Sequence, residues 1–411
     1  MNLVNNKYEI QGIDVLDLVK TYDAPLYVYD AEKIESQLNK LKSAFKGINM
    51  KVKYACKSLT NVSILKLLRT YGSELDCVSI EEVKMGLKAG FKPNQILYTP
   101  NCVDFDEVKQ GVALGVMINL DNISLLEQFG NEYHDTVPVC IRLNPHIMAG
   151  GNKKISTGHA DSKFGISIYQ MGHIEKVVKT YGLHVTGLHM HTGSDILDAE
   201  VFLRAANILF DAAKHFDALE FIDFGSGFKV AYKEGDITTD IDELGEKLGS
   251  AFKSFCKDYG KELEMWFEPG KFLVSESGHF LVRTNVVKTT PATAFVGVNS
   301  GLNHLIRPMM YDAYHEIFNV SNPSGTKRVY TVVGYICETD TFGLDRKLDE
   351  VKEGDILAFK NAGAYAFSMA SNYNSRLRPA EVLIFKGEAH LIRKREEFDD
   401  LLKNQIEIEL D

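Results

Sequence analysis

The sequence predicts a TIM-like eight-stranded α/β barrel followed by a C-terminal, mainly antiparallel β domain. Three observations carry that prediction. Between Val52 and Phe267 one phrase recurs eight times, a short apolar or β-branched run followed by a helical pattern. The series occupies a length close to the ~250 residues of an eight-stranded β/α barrel. Beyond Gly278 the runs are separated by Gly, Pro and Asn turns without long helical spacers.

Taken in order, the eight runs are Val52–Ala55, Glu74–Val78, Ile96–Thr99, Val116–Leu120, Val137–Leu143, His184–Met190, Phe221–Phe224 and Glu264–Phe267. The segments between them carry helical spacing, as at Ile64, Leu65, Leu67 and Leu68, or at Val83 and Leu87 before the stop at Gly90. Short apolar strands alternating with helices imply βαβ units and a parallel sheet buried on both faces. A doubly wound open sheet shows the same alternation; the length of the series favours the closed barrel. Further on, Phe280–Val287, Arg328–Ile336, Asp355–Phe359 and Glu381–Phe385 read as strands of a second domain, and Arg395–Leu402 as one short helix. Residues 1–35, with strand material at Pro25–Tyr29, form an N-terminal segment expected to pack with that domain. The barrel is expected over 36–278 and the β domain over 279–411.

Composition narrows the class of protein. With 45% hydrophobic and 25% charged residues, the 411-residue chain has the make-up of a globular protein, which excludes a disordered or collagenous one. A net charge of −10 speaks against a nucleic-acid-binding surface. No apolar run approaches the ~20 residues that cross a bilayer, and the start lacks a basic-then-apolar signal. A cytoplasmic location is expected. Six cysteines (Cys56, Cys77, Cys102, Cys140, Cys256, Cys337) are spread without a C-x-x-C pair, so they read as reduced thiols, neither a disulfide framework nor a zinc site.

Polar residues collect where the runs end. Lys57 follows the first, Arg142 lies in the fifth, His191 follows the sixth, Gly225-Ser226-Gly227 the seventh and Glu268 the eighth. In a barrel these positions share the carboxyl-terminal rim, where active sites of this architecture lie. Lys57 alone reads as a lysine with its head in water, or as one desolvated enough to condense with an aldehyde. The glycine triplet reads as a tight turn or as bare amides for a phosphate. Glu268 reads as an ion-pair partner, or as the acceptor for a protonated pyridine nitrogen. His189 and His191 stand at strand period two, which puts both rings on one face. That is also a metal-ligand spacing, and it leaves a metal-dependent barrel hydrolase as a rival reading. Cys337, Glu338, Arg307 and Tyr365 are unremarkable from their neighbours alone.

Taken together, Tyr54–Asn61, Asp76–Glu82, Thr157–Ile166, His189–Ser194, Gly225–Phe228, Glu268–Lys271, Arg307–Tyr311, Cys337–Phe342 and Gly363–Asn374 resemble, in the same order, the motifs of the alanine-racemase-like, fold-type III pyridoxal-phosphate decarboxylases. Nine ordered motifs over nearly the whole chain make the resemblance specific. It implies that Lys57 carries the cofactor covalently, His191 stacks on its ring and Glu268 pairs with the ring nitrogen. Ser194, Gly227, Gly270, Lys271 and Tyr365 would surround the phosphate, with Asp76, Glu82 and Arg142 as a supporting polar network. Cys337 would return a proton to the substrate carbon from the other subunit of a homodimer, a task that suits a small thiol of tunable pKa. Arg307, Tyr311 and Lys271 would meet a distal carboxylate and Glu338 a distal ammonium, with Tyr365 nearby. A substrate with an amino acid at each end satisfies that set. The resemblance is therefore nearest the branch that decarboxylates meso-diaminopimelate to L-lysine and CO₂, the last step of lysine biosynthesis. Relatives acting on carboxynorspermidine, ornithine or arginine are the alternatives, and a non-catalytic homologue is a third reading. Two positions depart from the family pattern: Lys271 stands where an arginine is usual, and Ser226 splits the glycine triplet.

Overall fold

The computed structural model describes residues 1–147, 158 and 161–410. His159, Ala160 and Thr157, part of one family-like segment, lie outside the described residues. The chain divides into two compact units, one of residues 35–231 and 237–273, the other of residues 1–34, 232–236 and 274–411.

The first unit is the closed parallel barrel that the sequence predicts. Its strands are β1 (Met50–Ala55), β2 (Glu74–Cys77), β3 (Ile96–Tyr98), β4 (Met117–Leu120), β5 (Val139–Asn144), β6 (Val185–His189), β7 (Phe221–Asp223) and β8 (Glu264–Phe267). Each pairs in parallel with the next, and β8 pairs with β1 to close the ring. Helices begin close behind the strands because polar caps stand there. Asn61, Ser79, Asp104, Asn122, Asp198 and Asp240 each accept a hydrogen bond from a first-turn amide, a contribution of ~1 kcal/mol per cap. Behind its cap, helix Val62–Thr70 turns Ile64, Leu65, Leu67 and Leu68 inward.

Side chains fill the barrel interior. Trp266 of β8 stacks on Phe221 of β7 with ring centroids 3.5 Å apart, and Leu97 and Cys140 complete that cluster. The fully buried Lys53 of β1 pairs with Glu74 at 2.7 Å and lies 3.9 Å from the Trp266 ring centroid. Gly187 of β6 is required here, because a Cβ would run into the Phe221 ring.

The second unit is a mainly antiparallel sheet. Its long strand Gly278–Thr289 pairs antiparallel with Ala294–Val298, Ile356–Phe359 and Leu26–Asp30. Leu26–Asp30 also runs parallel to Ala380–Phe385, and Leu26, Val28, Leu281, Val382 and Ile384 share one core cluster. Thr341–Asp349 and Glu388–Arg393 are strands that the sequence pattern does not announce. Both stand at the ends of the strand order, half in solvent, so they carry charged side chains and no apolar run. The C-terminal helix is shorter than expected, Phe398–Leu402, because Glu397 and Asp400 cap it reciprocally.

Candidate active site

Lys57 stands in a one-turn 3₁₀ segment, Cys56–Ser58, immediately after β1. Its side chain is 44% exposed, and its Nζ lies 3.9 Å from Oδ2 of the buried Asp76 at the end of β2. Burial, and next the negative charge of Glu268, raise Asp76 to about 8 against the opposing charge of Lys57. Behind it Glu82 accepts the Val78 amide at 2.9 Å, and burial raises its carboxyl too.

Across the ring, Glu268 follows β8. Burial pushes its carboxyl up, but His189, Lys57 and His191 together outweigh that and hold it at about 2. It is therefore ionised, whereas the Asp76 carboxyl keeps its proton up to about pH 8. The fully buried His189 places Nε2 3.0 Å from Glu268 Oε2. Burial lowers His189, so a neutral ring donates Nε2–H to the carboxylate. His191 behaves differently. Its Nδ1 accepts the Ser226 amide at 3.2 Å, and burial, then the charges of Arg142 and Lys57, bring it down to about 3. A neutral imidazole with an apolar face is the result. β6 ends at His189, after which Met190 N bonds Asp223 O. The two rings share Glu268, Arg142 and Lys57 as charged neighbours but take different hydrogen-bond partners. One of two close trios of ligating groups among the described residues is His189, Asp223 and Glu268, without His191.

Asp223, at the end of β7, accepts the Gly225 amide at 2.8 Å and so shapes the Gly225-Ser226-Gly227 turn. Gly227 has φ +128°, and a Cβ there would come 2.6 Å from Gly193 O, so the residue is confined to glycine. Lys271 Nζ donates to Asp195 Oδ1 at 2.6 Å and to Ser194 Oγ at 2.9 Å. A Cβ on Gly270 would run into the Ser58 side chain. Arg142 is buried, with its guanidinium 4.8 Å from the Phe164 ring centroid. The barrel unit thus brings together Lys57, Asp76, Glu82, Arg142, His191, Ser194, Gly227, Glu268, Gly270 and Lys271. Two residues with defined tasks had no sequence signal of their own, Asp223 beneath the glycine turn and Asp195 on Lys271; His189, noted only for its spacing with His191, proves to be the orienter of Glu268.

The remaining predicted residues belong to the β unit. Cys337 is exposed and its Sγ lies 3.4 Å from Asn374 Nδ2. Glu338 accepts the Tyr373 hydroxyl at 2.7 Å. Asp340 shapes this loop by accepting the Leu302 and Ile336 amides at 2.6 and 2.8 Å. Arg307 is buried, 6.0 Å from the Tyr311 ring centroid, and its Nε has no hydrogen-bond partner among the described residues. Tyr365 adopts a positive φ of 54°.

The donor set of the barrel fits pyridoxal phosphate. Glu268 Oε1 is buried without a hydrogen-bond partner among the described residues, an ionised acceptor left open for a ring N–H. The lysine, the neutral imidazole and the bare glycine turn beside a serine and a second cation complete the set. A stability test follows from Asp76. A carboxyl whose folded pKa is raised binds its proton more tightly in the folded state, so stability falls as pH rises from about 4 to about 8. Asp76→Asn should flatten that fall, raising the melting temperature of cofactor-free protein more at pH 8 than at pH 5. Equal shifts at both pH values would refute the assignment.

Comparison with known proteins points the same way. A family model described as pyridoxal-dependent decarboxylase, pyridoxal binding domain, matches residues 31–275. Diaminopimelate decarboxylase of Methanothermobacter thermautotrophicus is 39% identical over 406 residues, covering 96% of this chain and 95% of that protein. The Bacillus subtilis enzyme of the same name is 35% identical, covering 96% and 94%. A crystal structure of Helicobacter pylori diaminopimelate decarboxylase complexed with L-lysine superposes with a TM-score of 0.88 at 33% identity, over 95% of this chain and 98% of that one. The Methanocaldococcus jannaschii enzyme gives 0.91 at 31% identity, over 99% and 98%.

Proposed function

The chain belongs to the diaminopimelate decarboxylase branch of the pyridoxal-dependent decarboxylase family, and from that premise we propose that it converts meso-diaminopimelate to L-lysine and CO₂. The observation that carries this reading is the ionised, buried Glu268, whose second oxygen is open, on the same barrel rim as Lys57. Pyridoxal 5'-phosphate supplies an aldehyde that captures amines and a ring that accepts the electron pair left when CO₂ departs.

The protein's own groups divide the remaining work. Lys57 Nζ would hold the aldehyde and release it to the substrate α-amine, with Asp76 Oδ2 3.9 Å away to receive and return a proton. Glu268 Oε1 would accept the ring N–H, kept ionised by the Nε2–H of His189. His191, uncharged at neutral pH, would meet the ring face without repelling its positive charge. Asp223 and His191 take the Gly225 and Ser226 amides and so set the Gly225-Ser226-Gly227 turn, whose Gly227 amide would bind the phosphate with Ser194 Oγ, Gly270, Lys271 and Tyr365. Asp195 fixes the Lys271 ammonium beside Ser194, and a point charge placed this way does the work of the usual arginine fork. Arg307 and Tyr311 would bind the distal carboxylate, Glu338 the distal ammonium, and the Cys337 thiol would return a proton to the α-carbon.

We also read the enzyme as a homodimer, because the exposed Cys337 thiol is the group the resemblance assigns to the other subunit. All six cysteines are free, which accords with a reducing, cytoplasmic setting. No described helix is long and apolar enough to cross a membrane.

A panel of meso-diaminopimelate, ornithine, arginine and carboxynorspermidine tests the substrate. CO₂ release should be fastest with meso-diaminopimelate and yield L-lysine; preference for ornithine would overturn the role given to Arg307. Arg307→Ala should then lower kcat/KM for meso-diaminopimelate by roughly 10–100-fold, the size of one lost charge-assisted hydrogen bond. An unchanged KM would move the carboxylate site elsewhere.

A further inference from the structure

We propose that Cys56 and Cys77 form a peroxide-sensitive dithiol, closing to an intramolecular disulfide that displaces Lys57 and Asp76.

The placement comes from strand register. Ala55 of β1 stands opposite Asp76 of β2, so Cys56 and Cys77 are the next residues on adjacent strand ends. Neighbouring strands run ~4.8 Å apart, inside the ~4.4–6.8 Å Cα separation that a disulfide spans. The two sulfurs and a Glu82 carboxylate oxygen all lie within 4.8 Å of one another. Both thiols are free and buried. The other four cysteines join no such cluster among the described residues. The pairing is thus a product of the barrel ladder.

Each sulfur adjoins a residue of the site. Cys56 precedes Lys57, and Cys77 follows Asp76, whose Oδ2 is 3.9 Å from Lys57 Nζ. The turn that carries Lys57 has little room to adjust, since Gly270 packs so closely on Ser58 that a Cβ would collide with it. Bringing the sulfurs to a bond length of ~2.05 Å must therefore rotate or shift the Cys56–Ser58 turn. A misplacement of ~1 Å at a reacting group costs on the order of 100-fold in rate.

The chemistry balances with a peroxide as oxidant. One thiol attacks the peroxide O–O bond, becomes a sulfenic acid and releases water from hydrogen peroxide or an alcohol from an organic hydroperoxide. The second thiol then displaces the sulfenic oxygen as water and forms the S–S bond. Two thiols are oxidised, one peroxide is reduced, and a dithiol reductant reverses the change. Burial together with the neighbouring Cys56 thiol pushes Cys77 well up, so closure is slow and reports sustained oxidant.

The test treats the holoenzyme with hydrogen peroxide, blocks remaining thiols and maps peptides. We expect a Cys56–Cys77 linked pair that disappears after dithiothreitol. The exposed Cys337 also oxidises, so the functional consequence is read in a Cys337→Ala background, from the visible band of the bound cofactor. That band should change as the linked peptide appears and return on reduction, whereas the Cys77→Val, Cys337→Ala protein should keep its band throughout. In the wild-type enzyme the linked fraction should be ~100-fold less active, and Cys77→Val should retain basal activity. Absence of the linked peptide from oxidised wild-type enzyme overturns the proposal without any variant having to fold. A linked peptide with an unchanged band overturns the displacement. The linked peptide does not depend on the substrate assignment, so the two readings fail separately.

Discussion

Lys57→Ala yields a colourless protein that retains its fold and loses decarboxylation by more than the ~10⁴-fold upper range of a single proton-transfer residue. The loss is this large because one amine serves twice, holding the cofactor aldehyde and exchanging with the substrate. The neighbouring amines of the described residues are already committed, Lys271 to Asp195 and Ser194. Lys53 lies on the strand just before it, but it is fully buried and paired with Glu74 at 2.7 Å. Absorbance of the purified variant after incubation with pyridoxal phosphate, with CO₂ release beside it, decides the matter. A variant that keeps both its colour and its turnover would show that the attachment lies elsewhere.

Glu268→Gln should cost roughly 10²–10³ in kcat, the range for removing one fixed electrostatic partner of a developing charge. The substitution keeps shape and replaces an ionised acceptor by an amide. His189 retains an oxygen to donate to, so packing survives while the negative charge at the open oxygen is lost. The expected pattern is a fall in kcat with the protein still coloured, together with a displaced cofactor absorbance band. A fall in cofactor affinity with normal kcat at saturation would instead make Glu268 an anchoring group. The Asp76 carboxyl should meanwhile move down in this variant, because the charge that helps to raise it has gone.

The barrel and the rim residues were legible because strand ends are punctuated in one dimension: an apolar run stops and a polar residue follows. Lys57, Glu268 and the glycine triplet are all found that way. What pairs with what was not, since His189 meets Glu268 from two strands away in the ring. Likewise Asp195 meets Lys271 across 76 positions of sequence. The separate partners of the two histidines were equally hidden. Period two sets both rings near Glu268, Arg142 and Lys57, but which of them bonds the carboxylate and which the Ser226 amide depends on neighbouring strands. The strands Thr341–Asp349 and Glu388–Arg393 escaped notice for the opposite reason, being edge elements whose polarity keeps them from recruiting further strands.

The strand Leu26–Asp30 sits between two strands that are synthesised much later, Gly278–Thr289 and Ala380–Phe385. A ribosome adding ~5–20 residues per second has therefore released the middle of this sheet long before either flank exists. The segment must remain available while the entire barrel is translated. Expression vectors that append bulky fusions ahead of Met1 therefore load the one strand that the last-made part of the molecule needs first.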